Sequence, residues 1–186
     1  RNSEVIHSGF YYPQNSLKSK LCVNGNKLMY TFCDKYNIPY KKCGKLIAAN
    51  TKEDVEKLKH ILLLSKKNGI EGAKIISREE SLMIEPKVQC EKTLWIPSTG
   101  IVDSHLVMSK LENLSLSRDV SILYNLELAN IRKKNNGYEV DFIGDSPSIT
   151  TECIINCAGL WAHKIANKLL NNKYEVEYYK GDYFKT

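Results

Sequence analysis

The sequence is poor in the features that most quickly betray a function. No CxxC pair occurs among its six cysteines and no paired histidine spacing accompanies them, which argues against a structural zinc site and leaves no metal expected. Apolar runs stop at four residues, as in Ile61–Leu64, where a bilayer span needs about 20. No initiator Met is present, and Arg1 opens a polar stretch rather than a charged-then-apolar leader. The chain is therefore expected to start inside a longer reading frame or to follow processing. There is no internal repeat and no low-complexity segment. The basic residues are not gathered on one segment. Lys41-Lys42, Lys66-Lys67 and Arg132-Lys133-Lys134 sit in turn-like contexts and read as solvated surface, so no nucleic-acid partner is expected.

What is present is a folded composition. The 186 residues fit one ordinary domain or two small ones, with 42% hydrophobic and 26% charged residues. Lys and Arg number 27 against 21 Asp and Glu, a net +6, which favours approach of anionic substrates or surfaces. The cysteines are expected to be reduced, mostly buried, and intracellular. Cys153 and Cys157 flank an apolar pattern and are expected to face opposite environments.

Residues 1–14 read as irregular and 16–37 as a helix, with Leu17, Leu21, Leu28, Phe32 and Tyr36 at helical spacing. Residues 44–49 read as a strand. Thr51 caps a helix running to Gly69, and the capping box Ser77–Glu80 opens a short one before Pro86. Asp103 caps a fourth helix. Residues 120–124 read as a strand, and 126–131, 138–143 and 148–151 as a meander turning at Asn135-Asn136-Gly137. Residues 152–156 read as an apolar strand running through Cys157-Ala158-Gly159 into a last helix, with strands at 174–179 and 183–185. The pattern is mixed α/β with α+β character, its hydrophobic elements shared between two sheets, one around 44–97 and 174–186, the other around 120–156.

Four features could carry chemistry, each with a plainer explanation. Small residues at Ala158-Gly159, between a strand and a helix, let a phosphate or backbone approach closely; a tight β–α turn needs no ligand. His7 suits proton transfer near neutral pH, though a lone histidine is more often structural. Lys45 and Lys180 could bind a dicarboxylate, though strand-end lysines mostly face solvent. Tyr11, Tyr12, Tyr178, Tyr179 and Tyr183 could line a polar pocket or pack sheet edges.

Taken together, RNSEVIHSGFYYP (1–13), LKSKLCVNGNKLMY (17–30), CGKLIAA (43–49), PSTGIVDSHLVM (97–108), IINCAGLWAHKIA (154–166) and YYKGDYF (178–184) resemble the FAD-dependent L-2-hydroxyglutarate dehydrogenase/oxidase family of the D-amino-acid-oxidase-like superfamily. RNSEVIHSG and PSTGIVDSH are its specific segments. Ser8 and Cys157 stand where the family usually has Ala, and Asp182 where it usually has Asn. The family's opening GxGxxG phosphate turn does not occur here. The resemblance therefore implies an internal fragment of about half an enzyme, inactive by itself.

The fold it implies is part of an FAD/NAD(P)-binding, Rossmann-like domain (1–38 and 98–172) plus part of a mixed-sheet substrate domain (39–97 and 173–186). The implied cofactor is FAD. The implied substrate is a small dicarboxylic 2-hydroxy acid, with a quinone-linked acceptor or oxygen taking the electrons. His7 is the implied base or substrate contact. Asn2, Ser3, Leu128, Ala158 and Gly159 are the implied cofactor contacts, and Lys45, Lys180 and Tyr183 the implied carboxylate contacts. His105 reads as structural. The implied compartment is cytoplasmic, with inner-membrane association, or mitochondrial. A related amino-acid oxidase, a glycerol-3-phosphate dehydrogenase and a non-catalytic interaction module are the alternatives. Apolar faces left open by the missing strands imply self-association of the fragment.

Overall fold

Ser16, Thr51, Ser77 and Asp103 each accept a backbone N–H two or three residues into the helix that follows, satisfying amides that have no partner within the helix. The computed structural model describes residues 3–170 and 173–182. Two compact units divide it, Arg1–Val120 and Ser121–Thr186.

In the first unit the order is β1 (Val5–Ile6), α1 (Leu17–Tyr36), β2 (Tyr40–Lys41), β3 (Lys45–Ala49), α2 (Lys52–Lys67), β4 (Lys74–Ser77), α3 (Arg78–Ile84), β5 (Lys92–Ile96), β6 (Gly100–Val102) and α4 (Ser104–Leu116). Two antiparallel three-stranded sheets form, ordered β1-β6-β2 and β3-β5-β4. Leu94 and Ile96 of the central β5 are fully buried and pack with Phe10, Ala49, Val55, Leu58 and Ile70. Each such side chain contributes about 1.5–3 kcal/mol by leaving water. A smaller cluster of Cys33, Ile38 and Val107 joins α1 to α4.

The face that α1 buries is not the one its leucines suggest. Leu17, Leu21 and Leu28 are exposed, whereas Ser19, Asn26 and Cys33 are buried. At Asn26 the carbonyls of His7 and Ser98 lie against that side and take its N–H groups, while Cys33 packs with Ile38 and Val107.

The second unit holds β7 (Leu128–Lys134), β8 (Gly137–Phe142) and β9 (Ile149–Thr151), an antiparallel meander. A short 3₁₀ turn (Gly159–Trp161) then leads into α5 (Ala162–Leu170). Arg132 on β7 pairs with Glu139 and Asp141 on β8. Among the described residues, Ile131 is the only buried apolar side chain of this unit.

Three expected strands do not form: 120–124, 152–156 and 174–179 are irregular. A strand exists through its ladder, and no described strand lies alongside these segments; Ile155 is 83% exposed. Consequently 174–182 adds nothing to the β3-β5-β4 sheet. The expected strand at 183–185 lies outside the described residues. The cysteines also depart from expectation. All are free, but only Cys33 and Cys90 are buried, while Cys43, Cys153 and Cys157 are exposed. With 152–156 unpaired, Cys153 and Cys157 share the same solvent environment.

Candidate functional site

Strand β1 ends at Ile6, and the chain keeps alternating for two residues beyond it. Ile6 and Ser8 are buried and His7 between them is exposed. Behind the histidine the segment is tied down. The His7 carbonyl accepts from Asn26 Nδ2 at 3.1 Å and from Cys22 Sγ at 3.6 Å. The Ser8 hydroxyl meets that of Thr99 at 3.0 Å in a buried contact. Further along, Asn68 Nδ2 donates to the carbonyls of Gly9 (3.2 Å) and Tyr12 (2.9 Å).

Lys45 opens β3 opposite Ile96, and its ammonium stands 5.9 Å from the Phe10 ring centroid. It also lies near enough to His7 to bear on its protonation. Partial burial of the imidazole, and then the Lys45 charge, lower the His7 pKa from its ordinary 6.5. Both causes favour the neutral imidazole, the form that can accept a proton. The structure brings these two expected residues together. Ser3 precedes them on the same segment and is exposed.

Ala158, Gly159, Leu128 and Lys180 belong to the second unit. The Ala158 N–H donates to Asn156 Oδ1 at 3.2 Å, and Asn156 Nδ2 donates to the Ala162 carbonyl at 2.8 Å. That side chain therefore staples the turn from within. Gly159 takes φ +55°, and a Cβ placed there would meet nothing within 4 Å. Leu128 starts β7 opposite Phe142, beside a bulge, and is half-buried. Lys180 is exposed and paired with Asp182 at 2.9 Å. Asn2 and Tyr183 lie outside the described residues. Asn26, Asn68 and the Ser8–Thr99 pair were not anticipated. The available signal was Asn24-Gly25-Asn26 in mid-helix, poor helix formers where an apolar stripe was expected.

Comparison with known proteins places the chain in the flavoprotein class of oxidoreductases. A solved L-α-glycerophosphate oxidase from Mycoplasma pneumoniae, dithionite-reduced with FAD bound, superimposes with a TM-score of 0.80 at 30% identity, covering 90% of this chain and 45% of that one. Glycine oxidase from Geobacillus kaustophilus shares the fold, with a TM-score of 0.77 at 18% identity, over 90% of this chain and 46% of its own. The FAD dependent oxidoreductase (DAO) family model matches residues 1–186, and the chain belongs to that family.

Among curated proteins, the chain is similar to the mitochondrial L-2-hydroxyglutarate dehydrogenase of Arabidopsis thaliana, 32% identical over 99% of this chain and 45% of the relative. It is 40% identical to that of Caenorhabditis briggsae over 89% and 39%. It is 32% identical to the L-2-hydroxyglutarate dehydrogenase of Indibacter alkaliphilus over 99% and 46%. The chain thus spans less than half the length of these relatives. FAD is the family's cofactor, and the residues present fit part of it. The unobstructed Gly159 leaves room for a flat or phosphate group to come against backbone. No GxGxxG turn is present to hold its pyrophosphate.

Proposed function

We propose that the whole protein oxidises L-2-hydroxyglutarate to 2-oxoglutarate, and that this chain supplies the catalytic base and part of the cofactor cleft. The observation that carries the reading is His7, exposed between buried Ile6 and Ser8 and close enough to Lys45 for that charge to lower its pKa. FAD, when bound, would supply the acceptor for the hydride that leaves C2. His7 accepts the C2 hydroxyl proton on a ring nitrogen, so that the carbonyl forms as the hydride departs. Lys45 holds one substrate carboxylate by a charge-assisted contact, with Lys180 and Tyr183 candidates for the other. Ala158 and Gly159 border the cofactor through their backbone, Leu128 meets the adenine, and Asn2 and Ser3 lie by the flavin or pyrophosphate. A quinone-linked acceptor or oxygen reoxidises the protein.

The same reading divides the chain into 1–38 and 98–172 for the FAD-binding domain and 39–97 and 173–186 for the substrate domain. For the compartment, the names of the plant and nematode relatives favour the mitochondrial alternative over a cytoplasmic one. Among the described residues no helix is long and apolar enough to cross a membrane. The exposed Leu17, Leu21 and Leu28 of α1 and Ile155, Leu160 and Trp161 of the second unit make self-association of the isolated chain the expected behaviour. Sedimentation at rising concentration checks it, and a monomer throughout counts against it.

Turnover of L-2-hydroxyglutarate by the FAD-loaded whole protein, followed with a dye acceptor, tests the activity. Glycine, sarcosine and glycerol 3-phosphate serve as competitors. The similarity to a glycerophosphate oxidase favours glycerol 3-phosphate as the second reading; dye reduction with it and none with the hydroxy acid would select it. Lys45→Met is expected to raise KM for the dicarboxylate about tenfold to a hundredfold, the loss of one charge-assisted hydrogen bond. An unchanged KM would place Lys45 at the surface.

A further inference from the structure

The peptide that carries His7 has left its sheet. Strand β1 pairs with β6 only through Val5↔Ile101 and Ile6↔Gly100, so the next carbonyl, that of His7, has no ladder partner. Buried or half-buried carbonyls need a donor, and α1 supplies it. Asn26 Nδ2 donates to His7 O at 3.1 Å and to Ser98 O at 2.9 Å. One turn further, Tyr30 Oη donates to the same Ser98 carbonyl at 3.0 Å. Burial pushes the Tyr30 phenol up to about 12, so that donor keeps its proton throughout the working pH range.

Asn26 is poorly suited to its place on any other account. It lies in the interior of a 20-residue helix, where asparagine is an unfavourable choice. At 8% exposure, a carboxamide left unbonded there would be destabilising. A cavity of about 340 Å³, lined in part by Ser8, Asn26, Tyr30 and Ser98, opens beside it. The carboxamide is held there by its two hydrogen bonds. Being neutral and untitratable, it brings no charge to the site. What it contributes is orientation. Asn26 orients the peptide that follows His7 by holding its carbonyl, the Ser8 hydroxyl on Thr99 anchors the next residue, and the Ile6↔Gly100 pairing holds the residue before; together they restrain the direction of the His7 Cα–Cβ bond.

We propose that Asn26 is a positioning residue for His7: by clamping the His7 and Ser98 carbonyls from α1, its carboxamide sets where the imidazole stands relative to the substrate. The proposal rests on the reading of His7 as the base. Misplacing a catalytic group by about 1 Å costs up to about a hundredfold in rate. Asn26 touches neither substrate nor cofactor in this account, so its effect belongs in the chemical step.

The test uses the FAD-loaded whole protein and rapid-mixing measurement of flavin reduction by L-2-hydroxyglutarate, normalised to bound flavin. Asn26→Asp keeps the size and removes the two donated N–H groups; Asn26→Ser shortens the side chain. Either is expected to slow the limiting reduction rate about ten- to a hundredfold while substrate KM and FAD content stay within about twofold. In a His7→Ala background, Asn26→Asp is expected to have no further effect, because nothing remains to be positioned. Additive losses in the double variant would overturn the proposal. So would a KM increase at constant rate, or variants that lose fold and flavin in step with activity, which mark a purely structural residue. His7→Ala separates the two levels. A slow His7→Ala beside a normal Asn26→Asp removes only the positioning role, whereas a normal His7→Ala removes the base assignment and this proposal with it.

Discussion

Replacing His7 by Ala in the FAD-loaded whole protein is expected to slow flavin reduction by about 10²–10⁴-fold, the usual contribution of a positioned general base. Flavin content should hold, because the imidazole sits on the exposed side of its segment while the flanking Ile6 and Ser8 are buried. The pH profile supplies the independent check. The His7 pKa is lowered below 6.5, first by burial and then by Lys45. A base acts in its deprotonated form, so the reduction rate should climb as pH rises through a midpoint below 6.5 and run flat above it. Lys45→Met removes the second of the two causes, and the midpoint should move up toward 6.5. A profile flat from acid to alkaline pH, or a His7→Ala variant that reduces flavin at the normal rate, would remove His7 from the chemistry.

Helix starts were legible from local signals. Thr51, Ser77 and Asp103 cap where their side-chain chemistry places them, because capping is decided within four residues. The meander was legible for the same reason: the Asn135-Asn136-Gly137 turn and the alternation around it are short-range. Segments 120–124, 152–156 and 174–179 misled because β-pattern is a statement about a face, and a face becomes a strand only beside a partner. The leucines of α1 misled in a related way. Periodicity finds an apolar stripe but cannot tell that the opposite side must serve two carbonyls. At the site, His7 and Lys45 were legible as chemistry, yet their adjacency depends on how β1 and β3 are placed. Asn26 was invisible as a functional residue, since its role is defined by a carbonyl 19 residues away in sequence.

Gly44→Ala is expected to be the most destabilising single change near the site. The residue takes φ +72°, and an added Cβ would fall within the indole of Trp95. Strain from the left-handed backbone costs about 1–2 kcal/mol for a residue with a Cβ. Crowding a rigid ring against β5 adds about 1–3 kcal/mol. Together these should lower the thermal midpoint by about 10 °C in a chain of this size. Gly69→Ala is the control, because Gly69 has φ +77° but open space around the new Cβ, and so isolates the backbone cost. If both variants lose the same few degrees, the Trp95 collision contributes nothing. If Gly44→Ala loses clearly more, and Trp95→Leu in that background recovers part of it, the collision is the cause. The consequence reaches the site through two short links. The Gly44 N–H donates to the Thr99 carbonyl at 2.8 Å, and Lys45 is the next residue. Displacing this corner should therefore also raise KM for the dicarboxylate, in proportion to how far the Lys45 ammonium is carried from His7.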